Sequence, residues 1–205
     1  SLEEMMVDVI ISTLIQMTVF IGLPFICYLI FVKEKTGFFK WIGLYIPNKT
    51  TWIKSGVVVF FASMILMVGT LIVFLELGVI SKDMLNSFNI SEHKFSIEFV
   101  FIVLIKAIFQ TALSEEIFFR GFIGKTIARK FGYIKGNIIQ AIMFGLPHGL
   151  PFILVYKAYT FGVAFFISAA IAGFMHFYLN EKQANGSILP SITVHGIMNV
   201  MSFLQ

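Results

Sequence analysis

The composition of this chain suits a lipid environment better than water. Of its 205 residues, 58% are apolar and only 13% are charged, and its mean hydropathy is +0.91, whereas a soluble domain carries about 25% charged residues. The formal charge of +4 would suggest nucleic-acid binding in a soluble protein, but these cations lie in short segments between apolar runs, which is a topology signal. Composition therefore excludes an ordinary soluble domain and gives no support to a nucleic-acid partner.

Six apolar runs follow one another along the chain, each close to the roughly 17–25 residues that a spanning helix needs. They cover about residues 7–32, 55–75, 97–118, 137–155, 158–180 and 188–204. In the fourth run, Pro147, Gly149 and Pro151 predict a locally opened helix whose freed backbone groups are satisfied by neighbouring helices or a wet cavity. The sequence predicts an all-α, polytopic membrane bundle of about six transmembrane helices.

The basic residues predict the orientation of this bundle, because Lys and Arg concentrate in cytoplasmic loops. Segments 33–54 and 121–136 are the most basic connections, so both should face the cytoplasm and the N-terminus should face out. We expect segment 121–136 to form a short amphipathic helix on the membrane surface. The connection at about 76–96 should be an external loop, with His93 as a solvated residue.

Ionisable side chains inside the apolar runs are the main functional signal, since a charge at the bilayer centre costs at least about 2.5 kcal/mol. They are Lys106, Glu115, Glu116 and Arg120 on the third run, His148 on the fourth, His176 on the fifth, and His195 with Asn199 on the sixth. Polar groups that are costly alone should meet one another in lipid. The sequence therefore predicts one water-accessible cavity that contains Glu115, His148, His195 and Asn199.

Helix geometry gives the two adjacent acids different roles. Glu116 and Arg120 are four residues apart on one face, with the acid on the N-terminal side, which is the favourable order for an ion pair. Glu115 points about 100° away. We expect Arg120 to neutralise Glu116, which leaves Glu115 free for chemistry. The alternative is that all three are interfacial charges at the end of the helix.

Each histidine also has a simpler structural interpretation. His148 can be a neutral buried side chain that bonds a freed carbonyl. His195 and Asn199, at i and i+4 on one helix face, can be interhelical hydrogen-bonding residues. We interpret His176 as a packing or interfacial residue and Lys106 as a snorkelling or paired cation.

Three spaced motifs resemble those of the CAAX-protease and bacteriocin-processing (CPBP, or Abi) family of intramembrane endopeptidases. That family carries Glu-Glu-x-x-x-Arg, Phe-x-x-x-His and His-x-x-x-Asn or Asp on separate helices, and here the motifs are Glu115-Glu116-…-Arg120, Phe144-…-His148 and His195-…-Asn199. The resemblance spans roughly residues 97–205, which we expect to form a catalytic helical core. Residues 1–96 should supply further transmembrane helices and interfacial segments.

The resemblance implies an enzyme that hydrolyses a peptide bond in a peptide or lipidated, CAAX-type protein at the membrane. Glu115 would be the general base, and His148 would orient the water or pass on its proton. His195 and Asn199 would donate hydrogen bonds to the oxyanion. Three further residues would support these four: Glu116, Arg120 and Phe144. The implied location is a bacterial plasma membrane, as a multi-pass protein.

The sequence leaves the role of a metal open. Glu115, His148 and His195 make a plausible zinc set of one carboxylate and two imidazoles, but the chain has no His-Glu-x-x-His helix. Serine and thiol routes lack support, because there is no Gly-x-Ser-x-Gly and Cys27 has no His nearby in the sequence. The rival interpretations are a noncatalytic scaffold or immunity protein of the same fold and a transporter that uses these groups as a proton relay.

Overall fold

The protein is a bundle of helices, and the all-α prediction is confirmed. The computed structural model describes residues 2–48, 50–85 and 96–203, and no β-strand occurs within these ranges. Nine α-helices are described: α1 Leu2–Phe31, α2 Phe38–Ile42, α3 Trp52–Glu76, α4 Lys82–Leu85, α5 Ile97–Leu104, α6 Lys125–Phe131, α7 Tyr133–Leu154, α8 Tyr159–Tyr178 and α9 Leu189–Phe203. His93, predicted in an external loop, lies outside the described residues.

Five helices of the described part are long and apolar enough to cross a membrane. They cover Glu3–Phe31, Trp52–Glu76, Ile97–Phe131, Tyr133–Leu154 and Tyr159–Gln183. The sixth apolar run forms α9, whose 15 residues are shorter than the roughly 20 that a span needs. α9 packs against α3 and against residues 105–113. The predicted count of about six spans thus corresponds to five helices of spanning length and one shorter helix.

The third span contains two stretches of π-helix. These are the first π segment, Ile105–Leu113, and the second π segment, Glu116–Gly124; a third, Leu179–Gln183, extends α8. The π-helix is rare and is frequent at functional sites. Ser114 and Glu115 therefore form a short α-helical step between two π-helical segments.

The prediction of a surface helix over 121–136 is wrong in its first part. The chain continues from the second π segment into α6 without a break, and the span reaches Phe131. Lys125 is buried and forms an ion pair with Glu181, so it does not reach toward the lipid headgroups. The break comes at Gly132, whose φ of 92° lies in the region that favours glycine.

The fourth run is also more regular than predicted, because α7 continues through Pro147 and Pro151. Two glycines bring α7 against α8. A Cβ at Gly145 would lie 2.8 Å from the carbonyl oxygen of Phe166, and one at Gly149 would lie 2.6 Å from the Cβ of the same residue. Small residues allow this close approach of backbones in membrane proteins, and α7 and α8 therefore form a tightly packed pair.

The N-terminal helices pack directly on the later ones. The rings of Phe20 and Phe118 stack with centroids 4.6 Å apart, and Gln16 Nε2 donates to the carbonyl oxygen of Gln110 at 2.6 Å. On α3, the hydroxyls of Thr70 and Ser168 are 2.8 Å apart. α1 and α3 are therefore walls of the same bundle that holds the polar residues.

Candidate active site

A buried carboxylate, Glu116, is the centre of the polar cluster. Its Oε2 lies 3.2 Å from Nε of Arg120, and both side chains are fully buried. Its Oε1 lies 2.9 Å from Nδ1 of His195 and 3.4 Å from Nδ1 of His176. An ionised carboxylate only accepts hydrogen bonds, so both imidazoles donate from Nδ1. The predicted pair of Glu116 with Arg120 is present, and it also orients two histidines.

Glu115 lies on the other side of His195. Its Oε2 is 3.9 Å from Nε2 of His195, which is too long for a direct hydrogen bond. Because Nδ1 of His195 donates to Glu116, the neutral ring presents its Nε2 lone pair on the side of Glu115. His195 is thus held between two carboxylates, one buried and ion-paired and the other 18% exposed.

His148 has its tautomer fixed by the backbone of α7. Its Nδ1 lies 2.8 Å from the carbonyl oxygen of Phe144, and since a carbonyl can only accept, Nδ1 carries the proton. Nε2 of His148 is then the lone-pair nitrogen, able to accept a hydrogen bond from water or substrate. The simpler interpretation of His148, a neutral ring bonded to a carbonyl, and the catalytic one are therefore compatible.

A cavity of about 250 Å³ brings together His148, His195 and Asn199 of the predicted set, but Glu115 is not among its lining residues. Its polar wall is formed by His148, His176, His195, Asn199 and Ser202, and its apolar wall includes Met64, Met67, Val68 and Leu71 of α3. Pockets that enclose drug-sized ligands span about 300–1,000 Å³, so this cavity can enclose only a segment of a polymeric substrate. A larger cavity of about 400 Å³, lined by Asn48, Thr51 and residues 181–185, contains no histidine.

Asn199 faces the first π segment as well as the cavity. Its Nδ2 donates to Thr111 Oγ1 at 2.6 Å and to the carbonyl oxygen of Ala107 at 3.2 Å. Both amide hydrogens are therefore committed to the protein, so in this geometry Asn199 has none for the oxyanion, contrary to the expected role, and Oδ1 is the atom left for a ligand. In this geometry Asn199 fixes α9 against the helix that carries Glu115.

Arg120 and Phe144 pack against each other within the cluster. The guanidinium carbon lies 3.9 Å from the centre of the Phe144 ring, within the range of a cation–π contact. The same ring is edge-on to His195, with centroids 5.9 Å apart, and its centroid is 4.5 Å from that of His148. Phe144 therefore packs against three polar members of the cluster, as expected for a supporting residue.

His176 is the member of the cluster that the sequence analysis set aside. It is only 3% exposed, shares Glu116 Oε1 with His195 and lines the cavity. The signal that could have identified it is the cost of a polar ring in an apolar run, which applies to it as much as to His148. Lys106, by contrast, lies with its Nζ 5.7 Å from the ring centre of Phe203.

The set of Glu116, His176 and His195 does not fit a metal ion well. Glu116, His176 and His195 offer ligand atoms within 4.8 Å of one another, a set that shares only His195 with the one predicted from the sequence. However, both imidazoles present N–H groups to this carboxylate, whereas a metal needs their lone pairs. Arg120 already balances the carboxylate, and a dication beside a buried guanidinium would be repelled. The arrangement fits a proton-sharing network better.

Fold and site together define the class of this protein: it is a polytopic helical membrane protein with a buried acid–imidazole cluster beside a cavity. Residues 96–201 match the family model described as Rce1-like, type II CAAX prenyl endopeptidase. The match covers more than half of the 205 residues, and the chain belongs to this family, as its three motifs predicted. Neither a curated protein nor a solved structure matches the chain.

Proposed function

We propose that this protein hydrolyses a peptide bond of a membrane-associated substrate, using a water molecule activated by Glu115. The observation that carries the proposal is the position of His195 between Glu115 and the buried Glu116, at the wall of a cavity inside the membrane bundle. Glu116 orients the His195 ring through one ring nitrogen, and Glu115 lies near the other. Such an arrangement is suited to proton transfer.

The proposed reaction begins with water held between Glu115 and His148. Nε2 of His148 accepts a hydrogen bond from the water. Glu115 removes the other proton of the water as the water oxygen bonds to the scissile carbonyl carbon. His195 receives the proton at Nε2 and passes it to the leaving nitrogen as the carbon–nitrogen bond breaks. Glu116 stabilises the transient imidazolium through Nδ1, and general acid–base groups of this kind contribute about 10²–10⁴-fold each.

We propose a metal-free reaction, because the ion pair with Arg120 balances the carboxylate at the centre of the cluster. If so, purified protein treated with a strong chelator should keep its cleavage rate, and elemental analysis should find less than one equivalent of zinc. Loss of cleavage on chelation, with recovery on adding back one equivalent of zinc, would contradict this proposal.

The proposed substrate is a peptide whose anchor stays in the lipid while a short segment enters the cavity. The family description supports a prenylated C-terminal segment, and the cavity of about 250 Å³ is too small to enclose both an isoprenoid chain and several residues. The apolar wall of α3 would contact the side chains that flank the scissile bond.

A cleavage screen tests the proposed function. Detergent-purified protein is offered a library of peptides with and without C-terminal prenyl groups, and the products are identified by mass spectrometry. We expect cleavage by the parent and by Glu98→Ala, which removes an exposed acid of the same span, but not by Glu115→Ala or His148→Ala. Cleavage that survives both site substitutions would refute the mechanism, and a parent that cleaves nothing would favour a noncatalytic scaffold.

A further inference from the structure

Several fully buried polar atoms behind Glu116 have no protein partner. Within the described residues, neither Nη1 nor Nη2 of Arg120, Oε1 of Gln140, nor Nε2 of His176 makes a hydrogen bond to another group. All three side chains are at most 3% exposed. Buried polar groups are almost always paired, either with protein or with ordered water, so these atoms require partners.

The three side chains converge on one residue of α8. The carbonyl oxygen of Gly173 accepts a hydrogen bond from Nε2 of Gln140 at 3.0 Å. A Cβ built on Gly173 would lie 3.4 Å from Nη2 of Arg120, and His176 follows three residues later, on the same face of α8. The side chains that carry the unpaired donors of Arg120 and the unpaired acceptors of Gln140 and His176 therefore lie along the same stretch of α8, residues 173–176.

The chemistry of this position selects a small neutral ligand. A cation would be repelled by the Arg120 guanidinium, and an anion would meet the Glu116 carboxylate and two acceptor atoms. A molecule that both donates and accepts satisfies all of these groups. Water does so, because a buried water typically makes two to four hydrogen bonds to otherwise unpaired groups.

A ladder of polar side chains on α7 leads from this position to the end of the helix. Gln140 Nε2 donates to Oδ1 of Asn137 at 2.8 Å, and Asn137 Nδ2 donates to the Tyr133 hydroxyl at 3.1 Å. Tyr133 is the first residue of α7 and is partly exposed. The spacing of four and three residues places this ladder on one helix face, the face that continues through Phe144 to His148.

We propose that Arg120, Gln140 and His176 hold buried water that supplies the hydrolytic reaction, and that the α7 ladder holds the Gln140 amide in the orientation that directs its free oxygen to this water. The use of this water in the reaction rests on the proposed hydrolase function. The presence of the water does not. Hydrolysis inside the membrane needs a source of water within the protein, since the surrounding lipid provides no water. Arg120 and Gln140 are then positioning residues for water, in addition to supporting Glu116.

The presence of the water is testable without any cleavage, because the chain has only two arginines, Arg120 and Arg129. Protein labelled with ¹⁵N-arginine in lipid nanodiscs is examined by NMR for magnetisation transfer from water to the guanidinium protons. Arg129 is exposed and should show transfer, as a positive control. We expect Arg120 to show it as well, and an Arg120 signal without transfer, beside a normal Arg129 signal, would overturn the proposal.

The use of the water is tested by Gln140→Met, which keeps the length of the side chain and removes its amide, both the unpaired acceptor and the donor that bonds Gly173 and Asn137. We expect the Arg120 water transfer to weaken and kcat to fall roughly fivefold or more, the rate equivalent of one lost hydrogen bond, with KM unchanged. The control is Asn180→Leu, which removes a buried amide that is paired with Ser191 at both ends and should leave both readouts unchanged.

These outcomes separate the two proposals. If the parent cleaves no peptide but Arg120 exchanges magnetisation with water, the water site stands and the hydrolase function fails. If Gln140→Met lowers neither the water transfer to Arg120 nor kcat, Gln140 does not hold this water and the proposed site is wrong, whether or not the protein cleaves peptides.

Discussion

At the scale of single residues, the position of His195 is the main support for the proposed chemistry. One ring nitrogen donates to the fully buried Glu116 at 2.9 Å, and the other lies 3.9 Å from Glu115. An imidazole held in this way has one tautomer and a ready site for a second proton. We therefore propose different tasks for the two adjacent acids, with Glu116 orienting the ring and Glu115 acting on water.

Replacing Glu116 by glutamine tests this division. Glu116→Gln keeps the size of the side chain but removes the charge that stabilises the imidazolium and pairs with Arg120. We expect kcat to fall by about 10⁴-fold, as when an orienting carboxylate is neutralised in a catalytic triad. We also expect unfolding at lower temperature, because a buried guanidinium loses its partner, at a cost of about 3–5 kcal/mol. A variant with normal kcat would show that His195 does not depend on Glu116.

The sequence predicted most of this cluster for a physical reason. Charges and imidazoles in apolar runs are costly, so Glu115, Glu116, His148 and His195 stood out against their surroundings. His176 met the same criterion but belonged to no recognised motif, and it was interpreted as packing. Asn199 donates both amide hydrogens to Thr111 and Ala107. These bonds depend on how two helices are aligned with each other, which a local sequence pattern does not determine.

At the scale of elements, the close contact of α7 with α8 fixes the histidines. Glycines at the contact let His148 on one helix and His176 on the other line the same cavity. The sequence predicted both helices from hydropathy, but it predicted an opened helix at Pro147, where α7 in fact continues. The sequence could not predict the π segments on either side of Glu115, because a π-helix differs from an α-helix in its backbone hydrogen bonds and not in its composition.

Gly149→Ala tests the role of this contact. The added methyl would overlap the carbonyl oxygen of Gly162 and approach the backbone of Phe166. Overpacking of this kind costs about 1–3 kcal/mol, so we expect a lower unfolding temperature in detergent and reduced activity. Gly22→Ala is the matched control, since nothing lies within 4 Å of a Cβ there and alanine favours the helix. Equal unfolding temperatures for the two variants would contradict the proposed role of the contact.

At the scale of the whole molecule, the two basic segments lie at the same end of the bundle. The Arg129 guanidinium donates to the carbonyl oxygen of Trp41 and its carbon lies 5.2 Å from the indole centre. Trp41 in the first basic segment and Arg129 in the second therefore lie at the same end of the bundle, as a single cytoplasmic surface requires. Hydropathy and charge were sufficient to predict this, whereas the packing of α1 and α3 around the later helices was not apparent from residues 1–96.

Labelling with a membrane-impermeant maleimide tests the orientation. Cys27 is the only cysteine, so Cys27→Ser gives a background for single cysteines at exposed positions. We expect Lys82→Cys to react in intact cells and Lys40→Cys to react only after permeabilisation, because the basic segments should be cytoplasmic. The opposite pattern would invert the predicted topology.

The central claim is that the carboxylate of Glu115 activates water beside His195. The most direct measurement is the single-turnover cleavage rate of purified Glu115→Gln on a peptide that the parent cleaves, together with the dissociation constant of that peptide. We predict that the rate falls by at least about 10²-fold, the lower end for a general base, while the dissociation constant is unchanged. A Glu115→Gln variant that cleaves at the parental rate would contradict the account.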